Sequence, residues 1–248
     1  MIKVIGINKS YGTAAILQNI SFDISDGQIV ALFGPNGCGK TTLLKIIAGL
    51  DKQDSGEIKQ LNKSDDSDLS AGLVFQDHRF SLLPWMTIRG NIELALISRV
   101  KSKPEREEKV NQIINRLNLG KHQYKYPYQV SGGLSQLSAF GRALALNPDI
   151  YLFDEPFSAL DYQSALKLQQ QFLALWEKDK KSTIIVTHSI DEAILLADQI
   201  IIFSGLPAKI LDIISNNIPR PRSLEQLGGD LSQRIRQKII SIAQSFLI

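Results

Sequence analysis

The stretch GPNGCGKTT, from Gly34 to Thr42, constrains this chain more than any other. It follows the continuous apolar run IVALF (Ile29 to Phe33) and precedes LLKIIAGL, which has the pattern of a helix. A G-x-x-x-x-G-K-[ST] pattern between a buried strand and a helix is a phosphate-gripping turn. Its glycines Gly34, Gly37 and Gly39 let main-chain N–H groups curl around phosphate oxygens without a Cβ in the way. The helix that follows adds partial positive charge at its N-terminus. Pro35, Asn36 and Thr42 complete the loop; Lys40 is expected to reach the β- and γ-phosphates, and the Thr41 hydroxyl to ligate Mg2+. Cys38 lies inside the loop and has two readings. Its thiol is either acidified by the helix N-terminus, and so redox-sensitive, or simply a small side chain tolerated where the loop faces a nucleotide.

Three further apolar runs share the character of Ile29–Phe33: IYLF (Ile150 to Phe153), TIIVT (Thr183 to Thr187) and IIIF (Ile200 to Phe203). All are continuous rather than alternating, the pattern of strands buried on both faces of a mostly parallel sheet. Helical faces separate them: Val110, Ile113, Ile114 and Leu117 form one, and Leu168, Phe172, Leu175 and Trp176 another. Alternating strands and helices predict an α/β layered fold. From about 85 to 146 the periodicity is helical with no strand run, which predicts a helical subdomain inserted into the α/β core. The polar LNKSDDSDLSAG reads as an exposed hairpin or loop. The main domain is expected over 1–219 and a C-terminal helical tail over 220–248. In that tail Ile235, Ile239 and Ile242 form an apolar stripe for docking on the core or on a partner.

Composition narrows the function classes. A chain of 248 residues that is 44% hydrophobic has ample material for a buried interior. Its net charge of +3 does not argue for nucleic acid, and no polybasic arm is visible. A single cysteine excludes an internal disulfide and fits a reducing compartment. The start MIKVIGINKSYG does not read as a secretory signal. No apolar stretch is long enough for a membrane-spanning helix, so at a membrane other chains would supply the spanning part.

The run IYLFDEP ends in Asp154 and Glu155, at the carboxyl end of a buried strand, where ligands of open α/β sheets bind. Two adjacent carboxylates there have distinct uses: Asp154 can hold Mg2+, directly or through water, and Glu155 can orient or polarise an attacking water.

Taken together these stretches resemble the ATP-binding subunit of an ABC transporter, over nearly the whole chain. GPNGCGKTT is similar to the Walker A loop and IYLFDEP to Walker B with its glutamate. VSGG begins the signature usually written LSGGQ, FSALD with Asp161 resembles the D-loop, and IVTHS supplies His188 as the switch histidine. VFQD supplies Gln76 as the Q-loop glutamine, a further Mg2+ ligand, and Tyr11 resembles the aromatic residue that stacks on adenine. The resemblance implies a P-loop NTPase (RecA-like) core with an antiparallel β subdomain and an inserted α-helical subdomain. It implies two ATPase subunits, alike or different, closing face to face. Ser131, Gly132 and Gly133 of one would then cap the γ-phosphate held by the other. It further implies ATP and Mg2+ as cofactors, transmembrane permease subunits as partners, and a periplasmic or extracellular solute-binding protein acting indirectly. Such a subunit works peripherally on the cytoplasmic face of the plasma membrane. VFQDHRFSLLPWMTIRGNI and IPRPRS resemble the nitrate/sulfonate/taurine branch of importer ATPases.

The chain departs from that pattern in the signature. Leu134 replaces the usual Gln, Gln136 and Leu137 stand where a Q-R pair is usual, and Phe140 and Gly141 precede Arg142. The phosphate-gripping Ser131 and both glycines remain, which predicts an ATPase with a weakened signature contact. Leu134 and Leu137 share a helical face. They are read either as packing against an unusual partner surface or as tolerated exposed leucines. The rival to a transport ATPase is a nucleotide-dependent switch with negligible turnover. A soluble ABC protein of translation or DNA repair would carry tandem cassettes or long coiled-coil insertions, and a P-loop kinase needs no signature turn.

Overall fold

The computed structural model describes residues 1–61, 69–76 and 81–244. The chain forms two compact units: Met1–Ser70 with Lys180–Ile248, and Ala71–Asp179.

The first unit carries two kinds of sheet. Strands β1 (Ile2–Tyr11) and β2 (Ala14–Ile24) pair antiparallel, and β4 (Ser55–Gln60) pairs with the other edge of β1. Strand β3 (Ile29–Phe33) lies between β7 (Ser182–Thr187) and β8 (Gln199–Phe203), parallel to both. Antiparallel β9 (Ile210–Ser215) extends this group beyond β8. Ile29, Val30 and Leu32 are completely buried, as are Ile184, Ile200 and Ile201. Burial on both faces is what made these runs continuous in the sequence. Helix α1 (Lys40–Ile47) follows β3.

The second unit pairs β5 (Ala71–Val74) with β6 (Ile150–Asp154) in parallel. Ala71 and Gly72, expected in a loop, thus belong to a strand; the core of that expected loop, 62–68, lies outside the described residues. Between β5 and β6 come α2 (Ile88–Ile97), α3 (Lys103–Arg116) and α4 (Gly132–Ala145), with no strand among the described residues. Val110, Ile114 and Leu117 are buried, as the helical periodicity predicts. Helix α5 (Tyr162–Asp179) buries Leu168, Phe172, Leu175 and Trp176.

Returning to the first unit, α6 (Ile190–Leu196) links β7 to β8, and α7 (Asp230–Gln244) closes the described chain. Arg220 and Arg222 of the IPRPRS segment converge on Asp198, at 2.7 and 3.1 Å. Helix α7 is held by ion pairs from Arg236 to Asp191 and, at 2.6 Å, from Lys238 to Asp212. Its Ile239 is fully buried and Ile235 and Ile242 are half-buried, so the apolar stripe docks on this unit's own core.

Candidate functional site

In the first unit the phosphate loop leaves β3 and winds into α1. Gly39 caps that helix with φ at +110°, and a Cβ there would stand 2.9 Å from Ile16 Cγ2, so the turn admits only glycine. Lys40 is buried, and its ammonium donates to the carbonyls of Gly34 at 2.8 Å and Pro35 at 2.7 Å. Its stem is thereby folded back under the loop. Thr41 is exposed and Thr42 half-buried at the start of α1.

The sheet register explains why His188 belongs with this loop. Phe33 pairs with Thr187, so the chain leaves β3 as Gly34 and β7 as His188 side by side. His188, Gly34, Pro35 and Asn36 together line a cleft of about 920 Å3.

Burial decides between the two readings of Cys38, against an acidified thiol and for a small side chain fitted into the loop. Only 2% of the residue is exposed, and burial pushes the thiol up, against a smaller opposing pull from the Lys40 charge. Desolvation disfavours the thiolate more than the neighbouring ammonium favours it.

Tyr11 ends β1 with half its surface exposed. Its phenol donates to Asp51, and the Lys9 ammonium lies 4.8 Å from the ring centroid. The Lys9 hydrogen bond, followed by that of Tyr11, holds the Asp51 carboxyl down at about 2. Sequence reading missed Asp51 and Lys9, because nothing local links a residue after α1 to a strand forty positions earlier.

The second unit gathers the acidic strand end. Asp154 closes β6 and is 5% exposed. Glu155 follows with φ at +45°, a left-handed conformation unfavourable for a side chain with Cβ. Strain of this kind persists where the surroundings fix it, and it clusters at functional sites. The Glu155 carboxylate accepts a hydrogen bond from Gln76 Nε2 at 3.0 Å, which joins the Q-loop and strand-end residues. Asp161 caps α5, accepting from the Ser164 N–H at 3.0 Å, and the Ser164 hydroxyl, followed by that N–H, lowers its pKa.

Helix α4 opens at the Ser-Gly-Gly turn. Ser131 is its N-cap, with Oγ accepting from the Leu134 N–H, and Gly132 and Gly133 form its first turn. Leu134 is half-buried, whereas Leu137 is only 4% exposed. The reading of Leu137 as an exposed leucine is therefore corrected: it is a core residue. Both leucines line a cavity of about 320 Å3 with Ser131 and Gly133. The odd Phe140 and Gly141 also find their reason in packing. Phe140 meets Phe153 edge-on at 4.9 Å and Phe172 at 6.0 Å. At Gly141 a Cβ would come within 2.7 Å of Leu117 Cδ1 and 3.1 Å of Ile92 Cδ1, so α4 packs too closely for a larger residue.

Comparison with known proteins agrees with these motifs. The family model described as ABC transporter matches residues 17–158. An aliphatic sulfonates import ATP-binding protein, SsuB of Bacillus cereus, is 41% identical over 94% of this chain and 90% of its own length. The nitrate transport protein NasD of Klebsiella oxytoca is 36% identical over 97% of this chain and 95% of its own. Among solved structures, the dimeric post-hydrolysis state of the ATP-binding cassette MJ0796 bound to ADP and Pi superposes with a TM-score of 0.75. It is 32% identical and covers 88% of this chain and 100% of its own. The fold is accordingly a P-loop NTPase core with an antiparallel β subdomain and an inserted helical subdomain, and the chain belongs to the ABC transporter family as one of its ATP-binding ATPase subunits.

Proposed function

We propose that the chain hydrolyses Mg–ATP to energise an importer of a small solute such as a sulfonate, nitrate or taurine. The observation that carries the hydrolytic reading is the Gln76–Glu155 hydrogen bond of 3.0 Å. A carboxylate oriented by a neighbouring amide can accept a proton from an attacking water, the role of a general base. The cargo class rests on the relatives named for sulfonate import and nitrate transport.

The remaining residues divide the nucleotide among them. Lys40 and the main-chain N–H groups of Asn36 to Thr42 take the phosphates, Tyr11 stacks on the base, and His188 contacts the γ-phosphate. Ser131, Gly132, Gly133 and Asp161 serve the nucleotide of a paired subunit, in keeping with the dimeric cassette of similar fold. Thr41, Gln76 and Asp154 offer Mg2+ a hydroxyl, an amide oxygen and one carboxylate. Such a set suits a hard cation that takes its other oxygens from phosphate and water. Bound there, Mg2+ would neutralise charge on the phosphates; the chain's own part is to hold the nucleotide and set the proton acceptor.

No helix among the described residues is long and apolar enough to cross a membrane. We assign the chain to the cytoplasmic face, bound to permease subunits that a solute-binding protein supplies. Trp85, 71% exposed in the segment between β5 and α2, is available to such a partner. The test is steady-state Mg–ATP hydrolysis by the purified chain beside Glu155→Gln, with ATP binding measured in parallel. Turnover in the parent and a loss of about 100-fold or more in the variant, with ATP still bound, is the expected result. Undiminished turnover in the variant would remove the role of Glu155; a parent that binds ATP without turning it over would leave a switch.

A further inference from the structure

We propose that Asp51, seconded by Lys9, positions the nucleotide base: it fixes the ring of Tyr11 so that an ammonium closes one face while the other stays available for stacking. The proposal rests on the reading of Tyr11 as the stacking residue.

Three observations carry it. First, the Asp51 carboxylate is the meeting point of the cluster. It accepts from the Tyr11 phenol, from Lys9 Nζ at 2.8 Å and from the Lys52 N–H at 2.7 Å. Second, Lys9 is not a loose surface cation. It is 8% exposed, donates again to the Lys52 carbonyl at 2.6 Å, and holds its ammonium 4.8 Å from the Tyr11 centroid. That face of the ring is engaged as a cation–π surface, yet half of the residue remains exposed. Third, the cluster is built onto the phosphate-binding helix. The Asp51 N–H bonds the Lys45 carbonyl of α1 at 3.2 Å, beside the Leu50 N–H at 2.8 Å on the same carbonyl.

A plain structural clasp would need less. The end of β1 is already tied to this segment by the Ser10 N–H donating to Asp54 at 2.6 Å, and by the Asp54 N–H donating to the Asn8 carbonyl at 2.8 Å. The added bonds from Asp51 act on the ring itself. An exposed tyrosine ordinarily distributes itself among three χ1 wells. Holding it in one well removes that cost before the base arrives, a gain of about three-fold in affinity. The stack as a whole is worth roughly ten-fold or more. Asp51 is therefore a positioning residue, with an effect that reaches the ligand only through Tyr11.

The experiment is calorimetric titration of the full chain with ATP and, separately, with inorganic tripolyphosphate, which has phosphates but no base. Tyr11→Ala should weaken ATP about ten-fold and leave tripolyphosphate unchanged. Asp51→Ala should weaken ATP about three-fold, again sparing tripolyphosphate, and Asp51→Asn, which keeps an acceptor for the phenol, should recover most of that loss. In the Tyr11→Ala background, Asp51→Ala should add nothing. A loss that persists in that background, or that falls equally on tripolyphosphate, would make Asp51 a structural clasp and overturn the proposal. So would unchanged ATP affinity in Asp51→Ala when Tyr11→Ala is impaired. If Tyr11→Ala itself binds ATP normally, the stacking role of Tyr11 fails, and the positioning role falls with it.

Discussion

The phosphate loop of one unit and the Ser-Gly-Gly turn of the other are both glycine-bearing turns that open a helix, yet they are built on different terms. In the loop the backbone chooses the residues. Gly39 caps α1 at φ +110° with no side-chain acceptor, and the Lys40 stem fills the space beneath. In the Ser-Gly-Gly turn a side chain does the capping, Ser131 Oγ accepting from the Leu134 N–H. Beyond Gly133 the helix answers to the interior: Leu137, Phe140 and Gly141 are all core positions. The departures at Leu137, Phe140 and Gly141 are therefore packing below the turn rather than decay of the turn itself. Where geometry forbids a Cβ, sequence freedom vanishes; where one capping oxygen suffices, the rest of the helix is free to change.

Three variants test this contrast, in order of expected effect. Lys40→Ala should abolish turnover and weaken ATP binding by more than about 100-fold, because it removes the loop's only ammonium and strands the buried Gly34 carbonyl. Titration of ATP checks it, and near-parent affinity would mean the loop does not depend on its lysine. Phe140→Ala removes the ring that meets Phe153 and Phe172 and should cost about 3–5 kcal/mol of stability. Thermal and denaturant unfolding read this directly. A loss under ~1 kcal/mol would break the argument that the signature helix was repacked around this side chain. Leu134→Gln restores the usual polar residue beside the cap and should tighten the ATP-bound dimer by about 0.5–1.5 kcal/mol, a few-fold by light scattering. Weaker dimerisation would show that the half-buried Leu134 has a packing duty like that of Leu137.

The same contrast governs what the sequence made legible. The four continuous apolar runs emerged as β3, β6, β7 and β8 within a residue at either end, because burial on both faces leaves no alternation to misread. Strands β1 and β2 went unread. Their pairing slips in register at several points, which breaks the period-two pattern that marks a half-buried strand. Motif spacing located Lys40, Glu155 and His188 correctly in the fold, at a helix start and just past two strand ends, since each position is fixed by a local turn or strand. It misjudged Leu137, which is a core residue, whereas for Cys38 burial favours the plainer of the two readings, a small side chain fitted into the loop. Asp51 was invisible because its partners Lys9 and Tyr11 are some forty positions away.

The bonds from Lys40 to the Gly34 and Pro35 carbonyls carry one more consequence. A phosphate that recruits this ammonium must compete with main-chain oxygens already holding it, so capture is an exchange of partners and its net yield is smaller than a charged contact in isolation. On the proposed function the same exchange would run in reverse when product leaves. The carbonyls would take the cation back, so that the buried charge of the loop has a partner at every stage. Such a loop trades tightness of grip for ease of turnover, which suits a machine that must let go of its nucleotide in every cycle.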